Sequence, residues 1–321
     1  MPVKSIIENV PTNIIFGFLG AGKTTAILDL IGRKPANEKW AVLVNEFGER
    51  GIDGKIIAQS GVSVKEIPGG CLCCATGLPF QVGLNELVRA TRPDRILIEP
   101  TGLGHPLSII NILQNRSAHA FISLQSIITL VDPRKLSDER YLAHEHFMEQ
   151  IEVADVLLGN KADLCSPSHI KNFWSLVDSL SHPKIHVSVT KKSRFSLAWL
   201  GRGHTKYDFA SRARSKSFAE SQFDRDTSSD ELFRPESQSW SFTTSQIFSF
   251  SALIHWMDTF SSMRLKACLK TDQGDLIFNR SDTEPVSINP AIDLAESIIE
   301  IIGSSSENST LDASLRVCLI P

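Results

Sequence analysis

The sequence predicts an α/β fold, with a mostly parallel sheet covered by helices, followed by a smaller C-terminal α+β domain. Three observations predict it. Apolar, β-branched runs alternate with amphipathic stretches over residues 1–200; this alternation stops across 201–239; a hairpin signal and further apolar runs then follow. A chain of 321 residues, 42% hydrophobic, is long enough to bury two cores.

The strand-like runs are 13–17, 40–45, 62–67, 94–99, 126–131, 155–160 and 184–189, with helix-like segments at 24–33, 79–91 and 141–153. Strands separated by helices read as a largely parallel sheet. Ser166 is placed to cap a further helix with Pro167 in its first position, and Ile170, Phe173, Trp174 and Val177 follow as one face. Across 201–239 Arg, Ser, Asp, Glu and Gln dominate, which predicts a linker between domains at 1–200 and 240–321. Beyond it the pattern predicts a strand at 240–244 and a helix at 247–260. A hairpin should pair 264–270 with 275–279 across Thr271-Asp272-Gln273-Gly274, followed by a helix at 291–302 and a last strand at 314–320.

Charge and composition narrow the partners. With 33 Lys and Arg against 36 Asp and Glu, the chain has no diffuse basic field, so neither nucleic acid nor an anionic membrane is expected. The first residues carry Lys4, Glu8 and two prolines where a secretory signal needs an apolar core, and no run approaches the ~18 apolar residues of a membrane span. Six cysteines are too few for a disulfide scaffold, and three of them crowd together at Cys71, Cys73 and Cys74. A reducing, cytoplasmic compartment is the expectation.

The strongest motif is GFLGAGKT at 17–24, which fits GxxxxGK(S/T) between a predicted strand and a predicted helix. It marks the first domain as a P-loop NTPase. Gly17, Gly20, Ala21 and Gly22 let backbone N–H groups close around phosphates, and the helix start through Thr25 presents its positive end to the same anion. Lys23 is expected on the β- and γ-phosphates, with the Thr24 hydroxyl on Mg²⁺. The run RILIE ends in Glu99, an acid placed to support Mg²⁺ and its waters, and Gly102 follows where an N–H can sense the γ-phosphate. Asn160-Lys161-Ala162-Asp163 suits guanine: the Asp163 carboxylate can accept from N1–H and the exocyclic amine, Asn160 braces the loop, and the Lys161 stem lies along the base.

Three thiols within GGCLCC at 69–74 can converge on one soft cation, since thiolates favour Zn²⁺ or Cu⁺. Packing cysteines or a redox pair remain the alternatives. Glu46, Glu49 and Asp53 offer oxygen ligands or Mg²⁺-side groups, or belong to a solvated loop. His105, just before Pro106, stands where a side chain can approach the metal; His144 and His146 fall on a predicted helix with no evident partner. For these histidines surface or core roles are expected ahead of ligation.

Taken together, GFLGAGKTT, NEFGERGID, GGCLCC, LIEPTG, TLVDP and ADVLLGNKAD resemble the CobW family of P-loop GTPases, in order and over nearly all of residues 1–200. The resemblance implies Mg²⁺-dependent hydrolysis of GTP to GDP, with Lys23 and Thr24 serving phosphate and Mg²⁺ and Asp163 serving guanine. It also implies a metal site at Cys71, Cys73 and Cys74, joined by Glu49 in some members. Family members are linked to zinc homeostasis, cobalamin synthesis or metal insertion, so the expected role is a metallochaperone passing Zn²⁺, or Co²⁺, Ni²⁺ or Cu⁺, to a client metalloprotein. The client, the fourth ligand and any homo-oligomer are left open. Val44 stands where some relatives carry an acid, only His204 falls within 201–239, and Lys266-Ala267 replaces a frequent Lys-Gly. A GTP-binding sensor or buffer without useful turnover, and a thiol redox protein, are the competing functions. No arginine near these motifs stands out as a cis finger, so slow basal turnover is expected.

Overall fold

The computed structural model describes residues 9–45, 52–67, 78–102, 105–114, 121–204, 237–259, 264–280, 284–302 and 308–320. Each of the seven runs predicted in the first domain forms a strand: β1 Val10–Gly17, β2 Trp40–Asn45, β3 Ser63–Ile67, β4 Arg95–Glu99, β5 Ile122–Val131, β6 Val156–Gly159 and β7 His186–Val189. All pair in parallel, in the order β3-β2-β4-β1-β5-β6-β7. The central strand shows why these runs are almost wholly apolar. Ile14 and Phe16 point to one face, against Leu43, Ile98 and Ile109, whereas Ile15 points to the other, against Val42, Leu97 and Leu30. A strand buried on both faces needs apolar residues at both phases of its period of two.

The helices of this unit are α1 Lys23–Gly32, α2 Ile52–Ala58, α3 Leu78–Thr91, α4 Pro106–Gln114, α5 Glu139–Ala143, α6 Glu145–Glu152 and α7 Pro167–Ser179. The cap on α7 forms as expected: Ser166 Oγ accepts from His169 N, and His169 Nδ1 accepts from Ser166 N. Trp174 departs from the predicted face. It is exposed while Phe173 is fully buried, since adjacent helical residues lie about 100° apart. The single helix expected at 141–153 is two helices, because His144 adopts extended backbone angles between α5 and α6.

The second sheet is antiparallel, ordered β11-β10-β9-β12-β8, with β8 Ser237–Phe242, β9 Arg264–Thr271, β10 Gly274–Arg280, β11 Ser287–Pro290 and β12 Ser297–Ile302. The hairpin forms as predicted, with Thr271 paired to Gly274. Helices α8 Phe250–Asp258 and α9 Asn308–Arg316 cover one face. Two expectations fail here. The apolar run within 291–302 is strand β12, whose Ile299 and Ile301 face α8 and α9 while Ile298 faces away; short isoleucine-rich runs satisfy either period, and their β-branching favours the strand. The segment at 314–320 begins inside α9, and only Leu319 bridges to Phe248.

Strand β9 positions the site. Leu265, Ala267 and Leu269 pack under the helices, so Arg264, Lys266 and Cys268 project from the opposite face, where Cys268 belongs to a cluster that includes Ile56 of α2. Among the described residues no helix is long and apolar enough to cross a membrane.

Candidate nucleotide-binding site

β1 ends at Gly17, and the turn through residue 22 delivers the chain into α1 at Lys23. Gly22 precedes the helix with φ +104°, and a Cβ there would lie 2.5 Å from Ser193 Oγ and 2.6 Å from Asn160 Nδ2. Only glycine fits both the backbone angle and the space. The first turn of α1 has neither a side-chain cap nor an acidic residue, so its N–H groups are available to an anion.

Lys23 is buried, its Nζ donating to the Gly17 carbonyl at 3.0 Å. Burial lowers its pKa to about 8, against the opposing pull of Glu99. Glu99, at the end of β4, accepts from Thr24 Oγ1 at 2.9 Å. Burial raises its pKa to about 7, and the nearby Asp53 charge adds to the effect. Among the described residues, Glu99 Oε2 and both amide atoms of buried Asn45 have no hydrogen-bond partner. Buried polar groups are nearly always satisfied, so these atoms mark a place for a ligand, ion or water. Gly102 packs against the phosphate turn: a Cβ on it would lie 2.9 Å from Leu19 N.

At the other end of the cavity, Asn160 Nδ2 donates to the Ala21 carbonyl at 2.8 Å and to Ser193 Oγ at 2.7 Å, while its Oδ1 accepts from Ser193 N at 2.8 Å. One side chain thereby ties three loops. Lys161 takes a left-handed conformation, φ 60°, with its Nζ donating to Glu284 Oε1 at 2.7 Å. Gly20, Gly22, Lys23, Thr24, Thr25, Asn160, Lys161 and Asp163 all line one cavity of about 800 Å³. Its opposite wall comes from the second domain, through Arg264, Lys266 and Asn279 of β9 and β10 and Glu284 of the connection before β11. A small adjoining recess brings Glu99, Gly102 and Asn45 together with Lys23, Arg264 and Lys266.

The family profile described as "CobW/HypB/UreG, nucleotide-binding domain" matches residues 11–184. The chain belongs to the CobW/HypB/UreG family. Zinc chaperone YeiR of Escherichia coli K12 is 38% identical over 324 residues, spanning 96% of this chain and 98% of that protein. Zinc chaperone CobW of a Sinorhizobium species is 29% identical over 63% of this chain and 66% of its own length. Zinc-regulated GTPase metalloprotein activator 1 of Dictyostelium discoideum is 26% identical over 54% of this chain and 44% of its own length.

In this CobW/HypB/UreG protein, Cys71, Cys73, Cys74, Glu46 and Glu49 lie outside the described residues. Asp53, weighed from sequence as an oxygen ligand, is instead buried in an ion pair with Lys266. Burial alone would raise its pKa; Lys266 and Arg264 overrule this and hold it at about 2. Sequence reasoning missed Arg264, Lys266, Glu284, Asn45 and Ser193. Arg264 had a signal: it and Lys266 stand two apart in an otherwise apolar strand, hence on one face. Strand β9 thereby places one arginine on the wall of the recess that also holds Lys23 and Glu99. His144 takes a core role, edge-on to Phe18 with ring centroids 5.0 Å apart.

Proposed function

We propose that this chain hydrolyses GTP in a Mg²⁺-dependent reaction and uses its nucleotide state to bind zinc, or a similar transition metal, and pass it to a client metalloprotein. The observation that carries this is the convergence of Gly20, Gly22, Lys23, Thr24 and Thr25 with Asn160, Lys161 and Asp163 on one cavity, with residues 99–102 in the recess that shares its phosphate end. The relatives named zinc chaperone and zinc-regulated GTPase support it, the first of them over nearly the full chain.

Phosphoryl transfer asks a protein mainly for positioning and charge. The N–H groups at the start of α1 and the Lys23 ammonium hold the phosphates; Arg264 and Lys266 add positive charge from the facing wall. Thr24 Oγ1 and the unpartnered Glu99 Oε2 are oxygen donors of the kind Mg²⁺ takes. Bound there, Mg²⁺ supplies charge neutralisation on the phosphate oxygens. Asp163 accepts from guanine N1–H and its amine, and the Lys161 stem covers the base. For the metal cargo, Cys71, Cys73 and Cys74 supply thiolates suited to zinc, with Glu49 as an oxygen ligand; this part rests on the motif and the family.

Phosphate release from GTP and ATP, with and without Mg²⁺, tests the first half. GTP turnover that needs Mg²⁺, with ATP bound far more weakly, is expected, and Asp163→Asn should shift preference toward xanthosine triphosphate. Equal affinity for ATP and GTP removes the guanine assignment, and a single turnover without recycling favours a sensor. Zinc competition with GDP and with a slowly hydrolysed GTP analogue tests the second half. Identical zinc affinities in the two states remove the coupling.

A further inference from the structure

We propose that His105, His146 and Glu149 form a second cation site, free of thiolates, that takes Zn²⁺ or another borderline divalent ion. The three come from two segments. His105 lies three residues after Gly102 and immediately before α4, while His146 and Glu149 stand one turn apart on α6. Their ligand atoms all lie within 4.8 Å of one another. The two imidazole rings meet edge-on with centroids 3.7 Å apart. His146 Nδ1 sits 3.6 Å from Glu149 Oε2, too far for a hydrogen bond, and it has no other hydrogen-bond partner among the described residues. A buried ring nitrogen without a partner, facing a second imidazole and a carboxylate, lacks the satisfaction an ordinary core histidine finds.

Two imidazoles and one carboxylate form a known donor set for zinc when the fourth position stays open. Tetrahedral ligation at about 2.05 Å separates ligand atoms by about 3.3 Å, so the set needs to contract by at most about 1.5 Å, within reach of side-chain rotation. His146 is 3% and Glu149 7% exposed, whereas His105 is half-buried, which opens the cluster on the His105 side. A hard ion such as Mg²⁺ fits this nitrogen-rich set poorly.

The same helix touches the phosphate recess. Gln150, next after Glu149, donates from Nε2 to the Gly102 carbonyl at 2.9 Å. A cation drawing α6 toward His105 would therefore bear on the loop that packs against the phosphate turn. This coupling rests on the nucleotide function proposed above; the cation site does not.

The test uses the full chain with Cys71, Cys73 and Cys74 all changed to Ser. Zn²⁺ is titrated against a chromophoric chelator, and Co²⁺ serves as a spectroscopic probe. One retained Zn²⁺ equivalent is expected, with a Co²⁺ ligand-field spectrum lacking thiolate charge-transfer bands. On that background Glu149→Gln, which keeps the side-chain shape, and His105→Gln, on the open side, should each weaken zinc binding by more than about tenfold. GTP affinity of each variant reports an intact fold. No retained zinc, or retained zinc indifferent to both substitutions, overturns the site. Equal zinc affinity with GDP and with a GTP analogue rejects only the coupling, and failure of the unsubstituted chain to bind GTP counts against the nucleotide function instead.

Discussion

Lys23 and Glu99 are charged residues that burial drives toward neutrality, with pKa values near 8 and 7. Incoming phosphates favour the ammonium, and a cation at the Thr24 and Glu99 oxygens favours the carboxylate, so ligand binding favours the charged form of both. Loss of the Lys23 contact should weaken GTP by about tenfold to a hundredfold in Lys23→Ala, as expected for a hydrogen bond to a charged group. Glu99→Gln should leave most of the affinity and lower turnover on the order of a hundredfold. Nucleotide titration and phosphate release separate the two; unchanged hydrolysis by Lys23→Ala would place the chemistry elsewhere. The positions of Lys23, Thr24 and Glu99 were legible because each depends only on the end of one strand, β1 or β4, and the turn beyond it. Arg264, Lys266 and Glu284 were not, because their proximity depends on how two sheets meet: Asp53 and Lys266 are 213 positions apart.

Strands β9 and β12 carry charge into a buried seam. Glu300 of β12 lies opposite Lys266, and burial raises its pKa to about 7 despite that lysine. A carboxyl with a folded pKa above its ordinary value of 4.5 holds its proton more tightly when folded, so its contribution is most favourable below pH 4.5 and is lost as pH rises through about 7. Glu300→Gln should raise the melting temperature at pH 8, by a stabilisation on the order of 2 kcal/mol, and change little at pH 4. A thermal scan across pH that shows parallel curves for both proteins would contradict this. Asp53 has the opposite sign: its pairing stabilises at neutral pH and fails only as pH falls toward about 2. Lys266→Met removes the ion-pair partner of that buried carboxylate and leaves Arg264 among the charges still facing it, which should cost up to about 3–5 kcal/mol, and adding Asp53→Asn should recover most of the loss. At this scale the sequence predicted the first-domain strands well, since strands buried on both faces are continuous apolar runs. It failed at β12 and α9, where a short apolar stretch does not distinguish a period of two from 3.6.

For the molecule as a whole, polar links tie the two sheets together around the cavity. Lys55 pairs with Glu296 and Lys266 with Asp53, while Glu284 holds both Arg134 and Lys161. Glu284 therefore fixes the far end of the lysine proposed to cover the base. Glu284→Ala should weaken GTP severalfold without changing the melting temperature of the ligand-free chain appreciably, because the pair is partly exposed. Isothermal titration beside a thermal scan reads both quantities, and unchanged GTP affinity would detach Glu284 from nucleotide binding. The domain seam itself was not legible in the sequence, where its residues are scattered among ordinary surface charges.

A cavity with one wall from each domain makes its occupant a clasp. A ligand present at a hundred times its dissociation constant adds about 2.7 kcal/mol to whatever state binds it, and here that state requires both walls in place. Nucleotide should therefore protect backbone amides in β9 and β10 against hydrogen exchange as well as those around α1, although no nucleotide-binding motif lies in those strands. The cell's nucleotide supply would then act as a continuous load on the joint between the two halves, closing it when GTP is plentiful and letting it work loose when the pool runs down.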